Sequence, residues 1–142
     1  MKTTFVATAS VEIKASADRV WDALTNPSMV KQYLFGTTVD STWKVGAPIT
    51  YSGEWQGKPY KDKGTILEII PHKRLSSTYW SSIGGLPDEP ESYNTVTYEL
   101  SYEGGTTKLT LTQDNNPTKE SADHSTSNWE LVLNSMKKIL EK

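Results

Sequence analysis

Two amphipathic segments near opposite ends of this chain leave few folds open to it. Residues 4–15 alternate in the manner of a strand, with Phe5, Ala7, Ala9, Val11 and Ile13 on one face and Thr4, Thr8, Ser10, Glu12 and Lys14 on the other. Ser16 then supplies an N-cap, Asp18 suits a first helical turn, and Val20, Trp21 and Leu24 share a helical face. Asn26 and Pro27 end that helix and start a second, because asparagine caps well and proline is tolerated at the first helical position. Val30, Tyr33 and Leu34 face inward from it. A strand therefore feeds a two-helix elbow.

The other segment runs as a helix from near Pro117 to about Glu141. Trp129, Val132, Leu133, Met136 and Leu140 recur at helical spacing, with Ile139 at the margin of the stripe. Continued backward, the same face presents Thr126, Ser125 and Ala122, which are small and mostly polar. The bulky half is predicted to plug a core. The small half leaves space, so a pocket is expected between the N-terminal turns of this helix, the elbow's Tyr33 and a curved sheet.

Between these segments the chain reads as an antiparallel meander of strands at about 38–43, 47–56, 62–70, 74–82, 93–103 and 106–115. Turn chemistry separates them at 45–46, 56–59, 71–73 and 103–105, the last a tight hairpin signal. In the final hairpin Val96, Tyr98, Leu100 and Tyr102 line one face, matched by Thr107, Leu109, Leu111 and Gln113. Thr97, Glu99, Ser101, Lys108, Thr110 and Thr112 are assigned to water, so one side of the sheet is covered. Residues 81–92 form a long loop whose Gly and Pro content denies it regular structure.

A chain of 142 residues fits a single domain spanning 1–142, large enough to bury roughly 70% of its unfolded surface. Its 15 basic and 17 acidic residues give a net charge of -2, which leaves no electrostatic footprint for nucleic acid or an anionic membrane. The elbow is no DNA reader either, since Lys31 and Gln32 alone cannot supply base and phosphate contacts. Cysteine is absent, which removes disulfides, thiolate metal sites and cysteine nucleophiles. No apolar run is long enough to span a membrane or to serve as a signal peptide, so a soluble cytoplasmic protein is expected.

Catalytic motifs are scarce. His72, in a turn, and His124, near the start of the long helix, have no partners at zinc spacing, and solvent exposure is expected for both. Glu54 and Glu68 would be acid or base candidates if they pointed inward. Alternation places Ile49, Tyr51, Gly53 and Trp55 on the apolar face and so turns Glu54 outward. Glu68 is flanked by Ile66, Leu67, Ile69 and Ile70 on both parities, which calls for a bulge or a strand buried on both sides, with an outward glutamate as the default. Ser76, Ser77, Ser81 and Ser82 lack a readable triad, and Gly84-Gly85 lacks the Lys and Ser/Thr of a phosphate loop. No cofactor and no metal is implied. The notable resource is aromatic: five Trp and seven Tyr against two Phe favour rings with a polar handle, suited to a partly wet cavity.

Several motifs occur together in order: ASADRVWDALTNP over 15–27, GTILEIIP over 64–71 followed by Arg74 and Leu75, TTKLTLT over 106–112, and Trp129 with Leu133. With them the chain resembles the START-like (SRPBCC) superfamily, and more narrowly the C-terminal domain of activators of the heat-shock protein 90 ATPase. The resemblance implies an α+β helix-grip fold, shared with the birch pollen allergen: a curved antiparallel sheet around a long C-terminal helix, with two short helices at the mouth of a cavity. It also implies binding of lipids or other hydrophobic small molecules, with cyclases among the relatives. Many relatives carry Gly where this chain has Asn128, and Trp at the elbow where it has Tyr33 and Leu34. The chaperone activators have a separate N-terminal domain without a counterpart here, so ATPase stimulation is not carried over.

The expected function is noncatalytic binding of a small hydrophobic, lipid-like or aromatic molecule. The candidate ligand-binding residues are Trp21, Tyr33, Trp55, Trp80, Tyr98, Leu111, Gln113, Ala122, Ser125, Thr126, Trp129 and Leu133. Tyr79 belongs to the same aromatic set, and Gln113 is the polar candidate for orienting a ligand. The alternatives are a cyclase-like enzyme acting on a polyketide-type substrate, using an inward Glu68 or His124, and an interaction module that contacts a chaperone. No membrane insertion is expected.

Overall fold

A computed structural model of the chain describes residues 5–34, 36–55, 57–81, 87–116 and 118–141. Strand β1 (Phe5–Ile13) leads into α1 (Ala17–Thr25) and α2 (Pro27–Tyr33), followed by β2 (Thr38–Ser41), β3 (Pro48–Trp55), β4 (Lys58–Ile70) and β5 (Arg74–Tyr79). A single 3-10 turn, Pro90–Ser92, precedes β6 (Asn94–Glu103), β7 (Thr106–Asn116) and α3 (Lys119–Leu140). The strands form one antiparallel seven-stranded sheet in the order β1-β7-β6-β5-β4-β3-β2. Curved around α3, it is the helix-grip architecture.

The elbow forms as its residues dictate. Ser16 Oγ accepts from Arg19 N at 3.3 Å, and Asn26 both closes α1 and caps α2, its Oδ1 accepting from Ser28 N at 3.0 Å. One residue thus satisfies donors at the junction of two helices. At the other end Thr118 and Ser121 form a reciprocal capping box for α3. Val132, Leu133, Met136 and Leu140 are buried along α3, against Ala9, Ile13, Leu109 and Leu111 of β1 and β7. No helix among the described residues is long and apolar enough to cross a membrane.

The structure corrects four expectations. Strand β4 starts at Lys58, not near 62, because Trp55 pairs with Lys58 and Gly57, at φ 79°, turns the chain tightly. Pro59 therefore lies within a strand, opposite Glu54; β4 has no second neighbour there among the described residues, so no ladder bond needs the N–H proline lacks. Thr97, assigned to water, is buried, and its hydroxyl lies 3.1 Å from that of Ser76 on β5. Tyr102, assigned to the covered face, is 55% exposed because the hairpin extends past the end of the core. Strand β5 ends at Tyr79, after which Trp80 makes one isolated bridge to Lys63; of the 81–92 loop, residues 82–86 lie outside the described residues.

Of the two alternatives for the apolar run around Glu68, the structure has the bulge, a register shift between Ile66 and Glu68. It exposes Leu67 and sends Glu68 to the outer face, where Arg74 Nε meets its carboxylate at 2.5 Å.

Candidate functional site

The inner face of the sheet changes character along its strands. Alternate residues on β4 run Ile66, Gly64, Asp62, Tyr60; on β3 they run Ile49, Tyr51, Gly53; on β5 and just beyond it, Leu75, Ser77, Tyr79, Ser81. Each series begins apolar over the α3 core; those on β4 and β5 become hydroxylated or acidic towards the other end, and β3 adds the hydroxyl of Tyr51. There, a cavity of about 450 Å³ opens. Its sheet wall includes Tyr51, Tyr60, Asp62, Ser77 and Tyr79, with Val96 and Tyr98 from β6. Leu34 and Thr37 contribute from the end of α2, Ser81 and Glu54 add polar groups, and α3 meets the space at Asn128 and Trp129.

Hydrogen bonds fix most of these groups. Tyr79 Oη donates to Asp62 Oδ2 at 2.6 Å, and the Tyr51 and Tyr79 rings meet edge to face at 5.9 Å. Tyr51 is also the cross-strand partner of Asp62, which is only 6% exposed. The carboxyl thus accepts from the Tyr79 phenol, with Tyr51 at the neighbouring strand position. Burial first, and then the charge of Asp62, push both phenols far above the ordinary tyrosine value, so they remain neutral donors. Burial likewise raises Tyr98, with a smaller contribution from Tyr51.

A second set ties the elbow to the sheet. Thr37 Oγ1 donates to Leu34 O at 2.8 Å, which leaves the 2.6 Å contact with Tyr60 Oη to be donated by the tyrosine. Tyr60 lies across its partner Gly53, where an added Cβ would stand 2.7 Å from the phenol oxygen.

Of the residues singled out by sequence, Tyr98 and Trp129 stand together on the cavity wall, their rings edge to face at 6.4 Å. Gln113 stands behind them, accepting from Trp129 Nε1 at 2.6 Å. Leu111 and Leu133 are fully buried in the α3 core, and Tyr33 is buried beneath the elbow. Ala122 is buried one to two turns before Trp129; Ser125 Oγ bonds Asn116 Oδ1 and Thr126 Oγ1 bonds Ala122 O. Trp21 sits at the elbow's outer end, against His72 at 6.1 Å. Trp80 is on the parity opposite to Tyr79, stacked on Tyr93 and donating to Pro87 O. The backbone of Trp55 closes β3, while its side chain lies outside the described part of the structure.

His72 is exposed and lies 3.3 Å from Asp18, and His124 is exposed on α3. Glu54, assigned outward by alternation, reaches the cavity from the exposed end of β3. Among the described residues no three His, Asp or Glu converge as a metal site. The polar wall residues absent from the sequence reading were Thr37, Tyr60 and Asp62; Ser77 had been considered there only as a nucleophile without a triad. Asp62 could have been found by alternation: Lys61, Lys63 and Thr65 take one face of β4 and Tyr60, Asp62, Gly64 and Ile66 the other.

The sequence profile of the family described as "Activator of Hsp90 ATPase homolog 1-like protein" matches residues 14–141, nearly the whole chain. The chain belongs to that family. Within the same fold, a Cytophaga hutchinsonii protein solved in solution is 43% identical, with a TM-score of 0.87 and 99% of this chain and 97% of that chain covered. The Aha1 dimer from Colwellia psychrerythraea is 21% identical at a TM-score of 0.76, covering 96% of both chains. CalU16 from Micromonospora echinospora is 20% identical at 0.71, covering 98% of this chain and 87% of that one. At such identities these last two share the fold. No curated protein sequence matches the chain. Membership of the Hsp90 ATPase activator homologue-like family agrees with the motifs that pointed to it.

Proposed function

We propose that this chain binds a small, largely apolar, ring-containing molecule in the cavity between α2, α3 and strands β3–β6, without transforming it. The observation that carries this reading is the 450 Å³ cavity itself, walled by the aromatic rings of Tyr51, Tyr79, Tyr98 and Trp129. Its volume lies within the usual range for small-molecule sites, about 300–1,000 Å³. The rings supply apolar area, and their hydroxyls supply orientation. Of the acid–base candidates from the sequence, Glu54 lines the described wall at its exposed end, whereas Glu68 and His124 do not appear on it. The reading is tested by titrating a panel of lipids and ring metabolites while following the NMR signals of the Trp129 indole N–H and the Tyr98 ring. Absence of any shift across the panel would count against it.

A second reading, contact with a chaperone, is favoured by the family's description as homologues of an Hsp90 ATPase activator. A pull-down that retains known cochaperones but not this chain would remove it.

A further inference from the structure

Most of the hydrogen-bond donors on the cavity wall are already committed to the protein. Among the buried and half-buried residues of the described wall, Tyr79 donates to Asp62, Tyr60 to Thr37, Thr37 to Leu34 O and the Trp129 indole to Gln113, while Ser81 bonds Tyr79. The hydroxyls of Tyr51, Tyr98 and Ser77 have no such partner among the described residues. Tyr98 is only 8% exposed. Both phenol oxygens nevertheless stay open to a molecule the size of water, and the cavity is the space that their residues line. A buried tyrosine hydroxyl ordinarily has a hydrogen-bond partner. Here the contents of the cavity have to supply it.

We propose that Tyr98 and Tyr51 are the donors that meet the ligand, and that the cavity takes ring molecules carrying an accepting oxygen, such as ring ketones. This deepens, and rests on, the reading of the cavity as a binding site. The Tyr98 ring is braced edge to face against Trp129 at 6.4 Å, and the Tyr51 ring against Tyr79 at 5.9 Å. Both hydroxyls are therefore held in place before a ligand arrives, which lowers the cost of ordering them on binding. Trp129, its N–H committed to Gln113, offers the ligand its ring alone.

Burial holds both phenols well above the ordinary tyrosine value, with Asp62 contributing at Tyr51 and Tyr51 at Tyr98, so both are protonated donors at neutral pH. A carbonyl oxygen has two lone pairs to accept with and no proton to donate. It complements hydroxyls that have no acceptor of their own. A hydrocarbon of the same shape leaves them unmatched, which is costly in surroundings of low polarity. Ser77 is the lesser candidate, because a phenol is the more acidic hydroxyl and the stronger donor.

The test uses two probes on one skeleton, 2-acetylnaphthalene and 2-ethylnaphthalene, titrated at neutral pH into the full chain and followed through the Trp129 indole N–H. The parent is expected to bind the ketone at least about fivefold more tightly, although the hydrocarbon is the more apolar. Tyr98→Phe and Tyr51→Phe keep both rings, and the double variant should bring the two probes within about twofold of each other or reverse their order. A preference that survives in the double variant overturns the role of the phenols and passes it to Ser77. Should the double variant fail to fold, the single variants decide: at least one must lower the preference by about twofold or more, and no loss in either overturns the proposal. Equal binding of both probes by the parent overturns the donor role and leaves the binding site standing. No response to either probe overturns the donor role and the binding reading together.

Discussion

The indole Nε1 of Trp129 donates to Gln113 Oε1 at 2.6 Å, joining the α3 wall of the cavity to β7. Because Gln113 accepts through its oxygen, its amide nitrogen faces Asn116 Oδ1 at 3.2 Å, and Asn116 in turn donates to Phe5 O at 3.0 Å. The ring that faces the cavity is thus oriented by a relay ending on the backbone of β1. Replacing Gln113 by Leu leaves the indole N–H without this acceptor, at an expected cost of about 1–3 kcal/mol. Urea unfolding measures it. Combined with Trp129→Phe, the loss should fall short of the sum of the two single changes, and strict additivity would show that the bond contributes nothing.

Gly64 on β4 faces the backbone of β5 so closely that an added Cβ would lie 1.7 Å from Thr78 O. No side-chain motion relieves that contact, since the obstacle is main chain. Gly64→Ala is expected to cost at least about 3 kcal/mol by forcing two central strands apart. A thermal midpoint unchanged from that of the parent would refute the close approach.

Glu141 clamps the end of α3 to the start of the elbow, its Oε2 accepting from Lys14 N at 2.8 Å and from Lys137 Nζ at 2.9 Å. These bonds, the backbone donor first, hold its carboxyl below the ordinary value of 4.5. The unfolded chain therefore takes up this proton before the folded one does. The stabilisation is full above the ordinary value and is lost as pH falls through the lowered folded value. Denaturation of the parent and of Glu141→Gln across pH 2 to 7 (about this interval spans both states) should show a gap that closes in acid. A gap independent of pH would assign the effect to packing.

Leu133 is fully buried on α3 against the β1–β7 side of the sheet. Truncation to Ala removes its contacts and leaves a void, at about 2–5 kcal/mol by analogy with other buried leucines. Equilibrium unfolding measures the loss, and a change under about 1 kcal/mol would place the side chain outside the core.

The parts of the fold written in local chemistry were legible. Ser16, Asn26 and Pro27 marked the elbow through caps that act within three residues, and Trp129 to Leu140 marked the buried stripe of α3 through its period. The cavity wall was less legible, because its polar members are defined by strand neighbours. Asp62 meets Tyr79 only after β4 and β5 pair, and Thr37 meets Tyr60 across 23 residues. Where parity was unbroken, as at Tyr98, the inward assignment followed from alternation; at the end of β3, where the sheet runs out, Glu54 escaped it. The small residues Ala122, Ser125 and Thr126 are spaced as a hollow would require. Ser125 bonds Asn116 Oδ1 and Thr126 bonds Ala122 O.

The sheet order places β1 beside β7, with Phe5 opposite Asn116 and Ile13 opposite Thr107. During synthesis, then, β1 emerges 94 residues (Ile13 to Thr107) to 111 residues (Phe5 to Asn116) ahead of the partners it pairs with. Loop closure of that span is paid in entropy ahead of any pairing, so the final docking of β1 belongs among the slow steps of folding. A ribosome stalled before β7 would hold an apolar strand with nowhere to go.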